Sequence, residues 1–327
     1  MKNSPKVSIL IPTHNRAKII LETLNCAVNQ TYKNTEIIVV DNKSTDNSYE
    51  IIKNFAKSYP NVRAYQNEEN IGPVRNWRRC LDYATGEYAK ILWSDDLIAP
   101  DFIEKTLPYL EDHEDVGFVF TGTEIFNDDT GQKDKAYFIG ETGIYDTGKY
   151  IESSLLGKPL PVPVSPGNAL FRKKELEKNL ILDVPNKIGS DFKMHAIGND
   201  ALIYLLTAKD YPRFAFVNET LASFRAHNDS ITISSDSIKL TILYNIAKAY
   251  FVENYISDIK LRRKFNARVF VICLKNMFTG KYGGVTSVRD FYLKENNTAI
   301  NGVYFLLLLI KWVVKRLLPK RTKDEAA

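Results

Sequence analysis

Apolar and polar positions along the first hundred residues switch repeatedly between the period of a strand and that of a helix. Val7-Ser-Ile-Leu-Ile reads as a short buried strand broken by Pro12, with Thr13 and Asn15 as candidates to cap a following helix. Ile20, Leu24, Ala27 and Val28 then recur on one helix face. Ile37-Ile-Val-Val is a second strand, running into Asp41-Asn-Lys-Ser-Thr-Asp-Asn, which is turn and cap chemistry ahead of a helix over about 48–58. Residues 62–66 supply a third strand and 74–85 a third helix. A fourth apolar run, Ala89 to Trp93, follows. Such alternation predicts an α/β fold with a mainly parallel central sheet and helices on both faces.

The strand ends carry the chemistry. The run to Trp93 stops at two adjacent carboxylates, Asp95 and Asp96, and then at Pro100. Hard oxygen ligands at the carboxyl end of a strand can hold a divalent cation, and a cation there can bridge the phosphates of a nucleotide. Asp is also common in ordinary turns, so the pair alone leaves that reading open. In open α/β sheets ligands gather at the carboxyl ends of strands, and Pro12–Thr13, Asp41 and Asp95–Asp96 all fall at that edge.

Four segments, taken in order, resemble the successive motifs of family 2 glycosyltransferases. They are Val7 to Arg16 (VSILIPTHNR), Ile37 to Asp46 (IIVVDNKSTD), Asn70 to Asn76 (NIGPVRN), and Gly86-Glu-Tyr followed by Leu92-Trp-Ser-Asp-Asp. The resemblance covers residues 5–110 closely and continues more thinly to about 235. It implies an inverting, nucleotide-sugar-dependent enzyme with the GT-A fold. Carried over by position, it places Pro12, Thr13, Asn15 and Arg16 around the nucleoside. Asp41 would accept a hydrogen bond from the base, a uracil N–H, and Arg75 would lie beside base and phosphates. Asp95 matches the family's metal-ligating aspartate, with Ser94 and Asp96 beside it. One departure stands out: the first acidic residue of the family's Asp-x-Asp motif is replaced by Trp93.

The resemblance also directs attention to two later segments. Gly198-Asn-Asp places Asp200 at the start of an apolar helix, the context of the family's catalytic base; helix capping is the competing role, and Asp191 the rival carboxylate. Phe224-Arg-Ala-His-Asn-Asp-Ser-Ile-Thr resembles the family's arginine–histidine segment. It implies that His227 serves as a second metal ligand or phosphate donor and that Arg225 neutralises diphosphate charge. The implied cofactor is a divalent cation, Mn²⁺ or Mg²⁺, imidazole suiting the former better. His14, His113 and His195 read as surface or loop residues.

Other classes are disfavoured. No Gly-x-Gly-x-x-Gly follows a strand, and Gly143-Ile-Tyr-Asp-Thr-Gly-Lys-Tyr misses a P-loop because Tyr150 stands where a metal-binding hydroxyl is needed, so it reads as a loop before a helix over 149–156. No zinc-spaced cysteine pair or Gly-x-Ser-x-Gly elbow is present. The three cysteines, Cys26, Cys80 and Cys273, are odd in number and widely spaced, which argues for a reducing compartment. The N-terminal residues lead straight into a strand without signal-peptide character, so the expected location is cytoplasmic. A net charge of +5 is compatible with anionic partners, without the clustered basic groove of a nucleic-acid binder.

Beyond Ser234 the pattern turns helical, over 237–253, 258–277 and 285–293. Gly302 onward is an apolar block, Val303 to Ile310, followed by Lys311, Trp312, Lys315, Arg316, Lys320 and Arg321. The block is too short to span a bilayer, which needs about 20 residues. It suits a basic amphipathic helix lying on the anionic inner face of the cell membrane, or else a helix packed on the catalytic domain. The expected organisation is a catalytic domain over 1–235, with 1–110 binding the nucleotide-sugar and 111–235 on the acceptor side, and a helical region over 236–327. The expected function is transfer of a sugar from a UDP-sugar to a saccharide acceptor, lipid-linked, in surface polysaccharide synthesis. A non-catalytic nucleotide-sugar-binding module, kept open by Trp93, is the alternative. A nucleotidyltransferase is weaker, for want of a Gly-rich basic triphosphate loop.

Overall fold

The computed structural model describes residues 4–227, 236–280, 284–294 and 298–317. Strands β1 (Val7–Thr13), β2 (Thr35–Asp41), β3 (Val62–Gln66) and β4 (Tyr88–Ile91) alternate with helices α1 (Ile20–Val28), α2 (Ser48–Ala56) and α3 (Pro73–Tyr83). All four strands pair in parallel, in the order β3-β2-β1-β4. Every residue of β1 is buried, as a central strand covered on both faces should be. Pro12 does not break this strand: β1 continues through it to Thr13, in register with Asp41 at the end of β2. Nor do Thr13 and Asn15 cap a helix, because α1 begins at Ile20 behind Ile19, without a side-chain cap.

The second half of the sheet is mixed. After β5 (Leu97–Ile98) and α4 (Phe102–Glu111) come β6 (Val116–Phe126), β7 (Lys133–Ala136), β8 (Gly143–Asp146) and α5 (Thr147–Leu156). Gly143–Asp146, expected as loop, is therefore a short edge strand, pairing antiparallel with Arg213–Phe216. Strand β9 (Ala169–Arg172), helices α6 (Lys173–Asn179), α7 (Phe192–His195) and α8 (Asn199–Asp210), and β10 (Arg213–Arg225) complete this part. The sheet order continues from β4 as β9-β6-β10-β5. Strands β6 and β10 are parallel to each other, whereas β9 runs antiparallel to both its neighbours.

Helices α9 (Ser237–Tyr255), α10 (Ile259–Thr279) and α11 (Gly302–Leu317) follow, and the segment around Val285 to Leu293 contains only a 3₁₀ turn, Val288–Phe291. Asp236 and Asp258 cap α9 and α10 through their carboxylates. Apolar residues of α9 and α10 share one buried cluster with Leu155 and Leu156 of α5, Phe192 of α7, and Leu202 and Leu205 of α8. Burial on this scale, at roughly 25 cal/mol per Å² of apolar surface, ties the C-terminal helices firmly to the sheet-bearing part. Among the described residues, no helix is long and apolar enough to cross a membrane.

Candidate active site

The carboxyl ends of β1, β2 and β4 meet in a polar cluster. Asp41, fully buried, accepts hydrogen bonds at Oδ2 from the Ser44 amide (2.9 Å) and Gln66 Nε2 (3.0 Å). Beyond β1, Asn15 takes a left-handed conformation (φ 52°), and its Oδ1 accepts from the Thr45 amide at 2.8 Å. Asn tolerates this region better than most residues, because its short amide bonds locally. The Arg16 amide is held by Ser48 Oγ (2.7 Å), which points the guanidinium toward β4. There Arg16 Nη2 lies 3.5 Å from Asp95 Oδ2. Pro12 and Thr13 are buried beneath this rim, and the Thr13 carbonyl accepts from the Asn42 amide.

Buried asparagines, which the sequence patterns did not single out, set the entry to α3. Asn67 Nδ2 bridges Asn42 Oδ1 (3.0 Å) and Asn76 Oδ1 (2.9 Å), while Asn76 Nδ2 donates to the Val40 carbonyl. Asn42 Oδ1 also accepts from the Ile71 amide. None of these three amides leaves a buried atom without a partner, so the network can specify one geometry rather than destabilise the interior. Gly72 follows at φ 82°, where an added Cβ would lie 2.7 Å from Met194 Sδ and 2.9 Å from the Lys193 carbonyl. Only glycine admits that approach, which brings α7 against the start of α3. Arg75 sits at this junction, donating to the Ile71 carbonyl (3.1 Å) and 3.9 Å from Met194 Sδ.

The Asp95–Asp96 turn divides its two carboxylates. Asp95 Oδ2 lies 2.9 Å from His227 Nε2, at the end of β10, as well as beside Arg16. Asp96 turns inward, and its Oδ1 accepts from the Arg225 amide at 2.9 Å. Burial, then the neighbouring Asp95 charge, push the Asp96 carboxyl well above the usual carboxylate range. Lys90, also buried, donates to the carbonyls of Ile91 and Gly167, and burial lowers it to about 7. The Arg225 guanidinium, expected to neutralise diphosphate charge, is already paired within the protein. It is engaged by Glu22, Asp128 and the Asp95 carbonyl, which fastens β10 to α1 and to the turn. Asp96 and Arg225 thus hold Asp95 and His227 opposite each other. Ser94 is buried in the turn. Trp93 stacks obliquely on Trp77 (4.7 Å) and donates from Nε1 to Ser165 Oγ (2.7 Å).

Among the described residues, no three His, Cys, Asp or Glu side chains converge into a protein-built metal cage. Asp95 and His227 instead offer one carboxylate oxygen and one imidazole nitrogen in direct contact. That donor set suits a cation whose remaining ligands are diphosphate and water oxygens, the usual arrangement for Mg²⁺ and accessible to Mn²⁺.

Asp200 stands apart from this pair, in the first turn of α8 behind Gly198. Its Oδ1 accepts from the Gly198 amide (3.1 Å) and the Ala201 amide (2.8 Å), and its Oδ2 from Tyr244 Oη (2.9 Å). Burial raises its carboxyl to about 6 despite those three donors. A carboxylate poised there can accept a proton near neutral pH. Asp191 differs: exposed, it caps α7 by accepting from the Lys193 amide, and it borders a separate cavity of about 400 Å³ with Asp183, Val184 and Leu293. His195 is no loose loop residue; the Ile197 amide donates to its Nδ1, Ser190 Oγ meets its Nε2, and burial lowers it to about 4. Asn228 to Thr232, the remainder of the arginine–histidine segment, lies outside the described residues, as do Lys320 and Arg321.

Comparison with known proteins identifies the family and the fold. The family model described as glycosyl transferase family 2 matches residues 8–180. An uncharacterized glycosyltransferase from Haemophilus influenzae is 37% identical over 108 residues, 33% of this chain and 43% of that protein. The minor teichoic acid biosynthesis protein GgaB of Bacillus subtilis is 26% identical over 263 residues, 77% of this chain and 26% of that protein. This chain therefore spans less than half the length of either relative. Among solved structures, S. aureus TarS 1-349 in complex with UDP-GlcNAc superposes with a TM-score of 0.64 at 19% identity, over 85% of this chain and 76% of that one. The same protein with UDP gives 0.61.

Proposed function

The chain belongs to glycosyl transferase family 2, and on that premise we propose that it is an inverting glycosyltransferase using a UDP-sugar donor and a lipid-linked saccharide acceptor in surface polysaccharide synthesis. The observation that carries this reading is the division of labour between two carboxylates. Asp95, paired with His227 and Arg16 at the strand edge, suits a nucleotide diphosphate. Asp200, buried separately and raised to about 6, suits a proton acceptor. The name of GgaB, a teichoic acid biosynthesis protein, supports a role in surface polysaccharide synthesis, and the TarS complexes support the uridine nucleotide.

In this mechanism Pro12, Thr13, Asn15 and Asp41 frame the nucleoside and Arg75 borders it. Asp95 and His227 would hold a divalent cation, which when bound offsets the charge of the departing diphosphate. Arg16 adds a fixed positive charge at the same place. Asp200 takes the proton of the acceptor hydroxyl as that oxygen bonds to the anomeric carbon. The bond from that carbon to the diphosphate oxygen breaks on the opposite face, and its electron pair leaves with the nucleoside diphosphate. Holding the reactants in line for this displacement is worth several orders of magnitude in rate. In a thermal-shift comparison of UDP, GDP, CDP and dTDP with and without Mn²⁺, UDP with Mn²⁺ should raise the melting temperature most. Equal, metal-independent shifts for all four would refute the donor assignment.

The same reading places the chain on the inner face of the cell membrane. Helix α11 buries Tyr304 and packs Phe305 and Leu308 on the C-terminal core, yet leaves Val303 (72% exposed), Leu307 (58%) and Ile310 (59%) outward. Phe278 (74%), at the end of α10, stacks on Trp312 and extends that face. The two sequence expectations for this helix are thus compatible, one for each face. An apolar face flanked by the basic residues of the terminal segment would combine insertion with attraction to anionic lipid, about 1 kcal/mol per basic residue near the surface. Leu307→Glu with Ile310→Glu should keep the melting temperature and abolish co-sedimentation with phosphatidylglycerol vesicles at low salt. Absence of vesicle binding by the unaltered chain would remove the membrane assignment.

A further inference from the structure

We propose that Tyr244, on helix α9 of the C-terminal region, is a positioning residue for Asp200, fixing its carboxylate so that Oδ2 is the atom that takes the acceptor's proton. The inference rests on the proposed role of Asp200 as base and adds the origin of its geometry. A carboxylate offers about four lone-pair directions, two on each oxygen. Asp200 Oδ1 has both occupied by the Gly198 and Ala201 amides, backbone groups that the start of α8 fixes in place. Among the described residues, Oδ2 accepts only from Tyr244 Oη, at 2.9 Å, which leaves one direction open on that oxygen. The reacting atom is thereby selected by a side chain from outside the family-matched segment, residues 8–180.

Toward the Asp200 carboxylate, Tyr244 acts as a donor. Burial and the Asp200 charge hold its phenol well above its ordinary value, so it stays protonated. The other titratable groups facing Asp200 are Tyr137 before β8, Tyr150 on α5, Tyr204 on α8 itself, and Lys248, one turn after Tyr244 on α9. Lys248 is buried, donates to the Ser154 carbonyl at 2.6 Å, and favours the ionised carboxylate electrostatically. Burial lowers Lys248 itself to about 7. Tyr137, Tyr150 and Tyr204 remain neutral, raised by burial. Two residues of α9 at i and i+4 therefore support the carboxylate against the desolvation that opposes its charge. The C-terminal helices are in this respect part of the reacting centre.

Aspartate labelled with ¹³C at the carboxyl carbon provides the test, because the Asp200 resonance is the one that Asp200→Asn removes. Its midpoint should lie near 6 in the unaltered chain. Tyr244→Phe removes a donor to the charged form and should raise that midpoint by roughly one pH unit. The same variant should bind UDP unchanged and turn over UDP-N-acetylglucosamine about tenfold more slowly near pH 6.5, partly through loss of the ionised form. If Tyr244→Phe does not fold, 3-fluorotyrosine at position 244 keeps ring and hydroxyl while strengthening the donor, and the midpoint should fall. An unmoved midpoint in either protein overturns the inference. Full activity of Asp200→Asn would instead overturn the base assignment, a separate outcome read from a separate variant.

Discussion

Replacing Asp200 by Asn is expected to cut sugar transfer by about 10²–10⁴-fold, the usual contribution of a positioned base, while UDP affinity stays within about twofold of the unaltered chain. The amide has the shape of the carboxylate and can still accept from the Gly198 and Ala201 amides, so α8 should start as before. What it lacks is an oxygen able to take a proton. The rate of the unaltered chain should rise with pH through about 6, because the carboxyl is raised to that value by burial and works as a base only when ionised. Asp191→Asn should remain active, since Asp191 caps the short helix α7 at an exposed position. Steady-state rates of the two variants side by side decide the matter. An active Asp200→Asn beside an inactive Asp191→Asn would show that the wrong carboxylate has been assigned.

Asp95→Asn is expected to remove metal-dependent UDP binding without unfolding the chain. Among the described residues, the Asp95 carboxylate is the one acidic group in contact with both His227 and Arg16. An amide there presents a weaker ligand to a hard cation and removes the negative charge that faces Arg16. Asp96, in contrast, faces inward toward the Arg225 amide, so Asp96→Asn should act on stability and on the placement of β10 more than on the metal itself. The distinction is measurable by titrating Mn²⁺ at fixed UDP in each variant. Retained Mn²⁺-dependent affinity in Asp95→Asn would end the assignment.

Most of the sheet-forming half was readable from periodicity. Strands β1 and β2 are apolar runs bounded by turn residues, whereas β3 (Val-Arg-Ala-Tyr-Gln) and β4 (Tyr-Ala-Lys-Ile) are shorter and mixed, and helices α1 to α3 keep one apolar face each. Pro12 misled because proline usually ends a strand, yet here it lies within β1 just before the chain leaves the sheet at Thr13. Short edge strands such as β7 and β8 carry little periodic signal, and they form because β6 and β10 present open edges to them. Asp95 and His227 are 132 residues apart, and only the motif order suggested that they meet. Tyr244 carried no signal of its own: a tyrosine in an apolar helix reads as core until α8 is seen beside it. Likewise nothing in the sequence separated Asp95 from Asp96, whose opposite orientations follow from how β10 closes on the turn.

The central claim is that binding of the nucleotide and acceptance of the proton belong to different carboxylates. A calorimetric titration of UDP in Mn²⁺ into three proteins tests it most directly: the unaltered chain, Asp95→Asn and Asp200→Asn. The expected result is equal affinity for the unaltered chain and Asp200→Asn, and no measurable binding to Asp95→Asn. Loss of UDP binding in Asp200→Asn, or its retention in Asp95→Asn, would contradict the account.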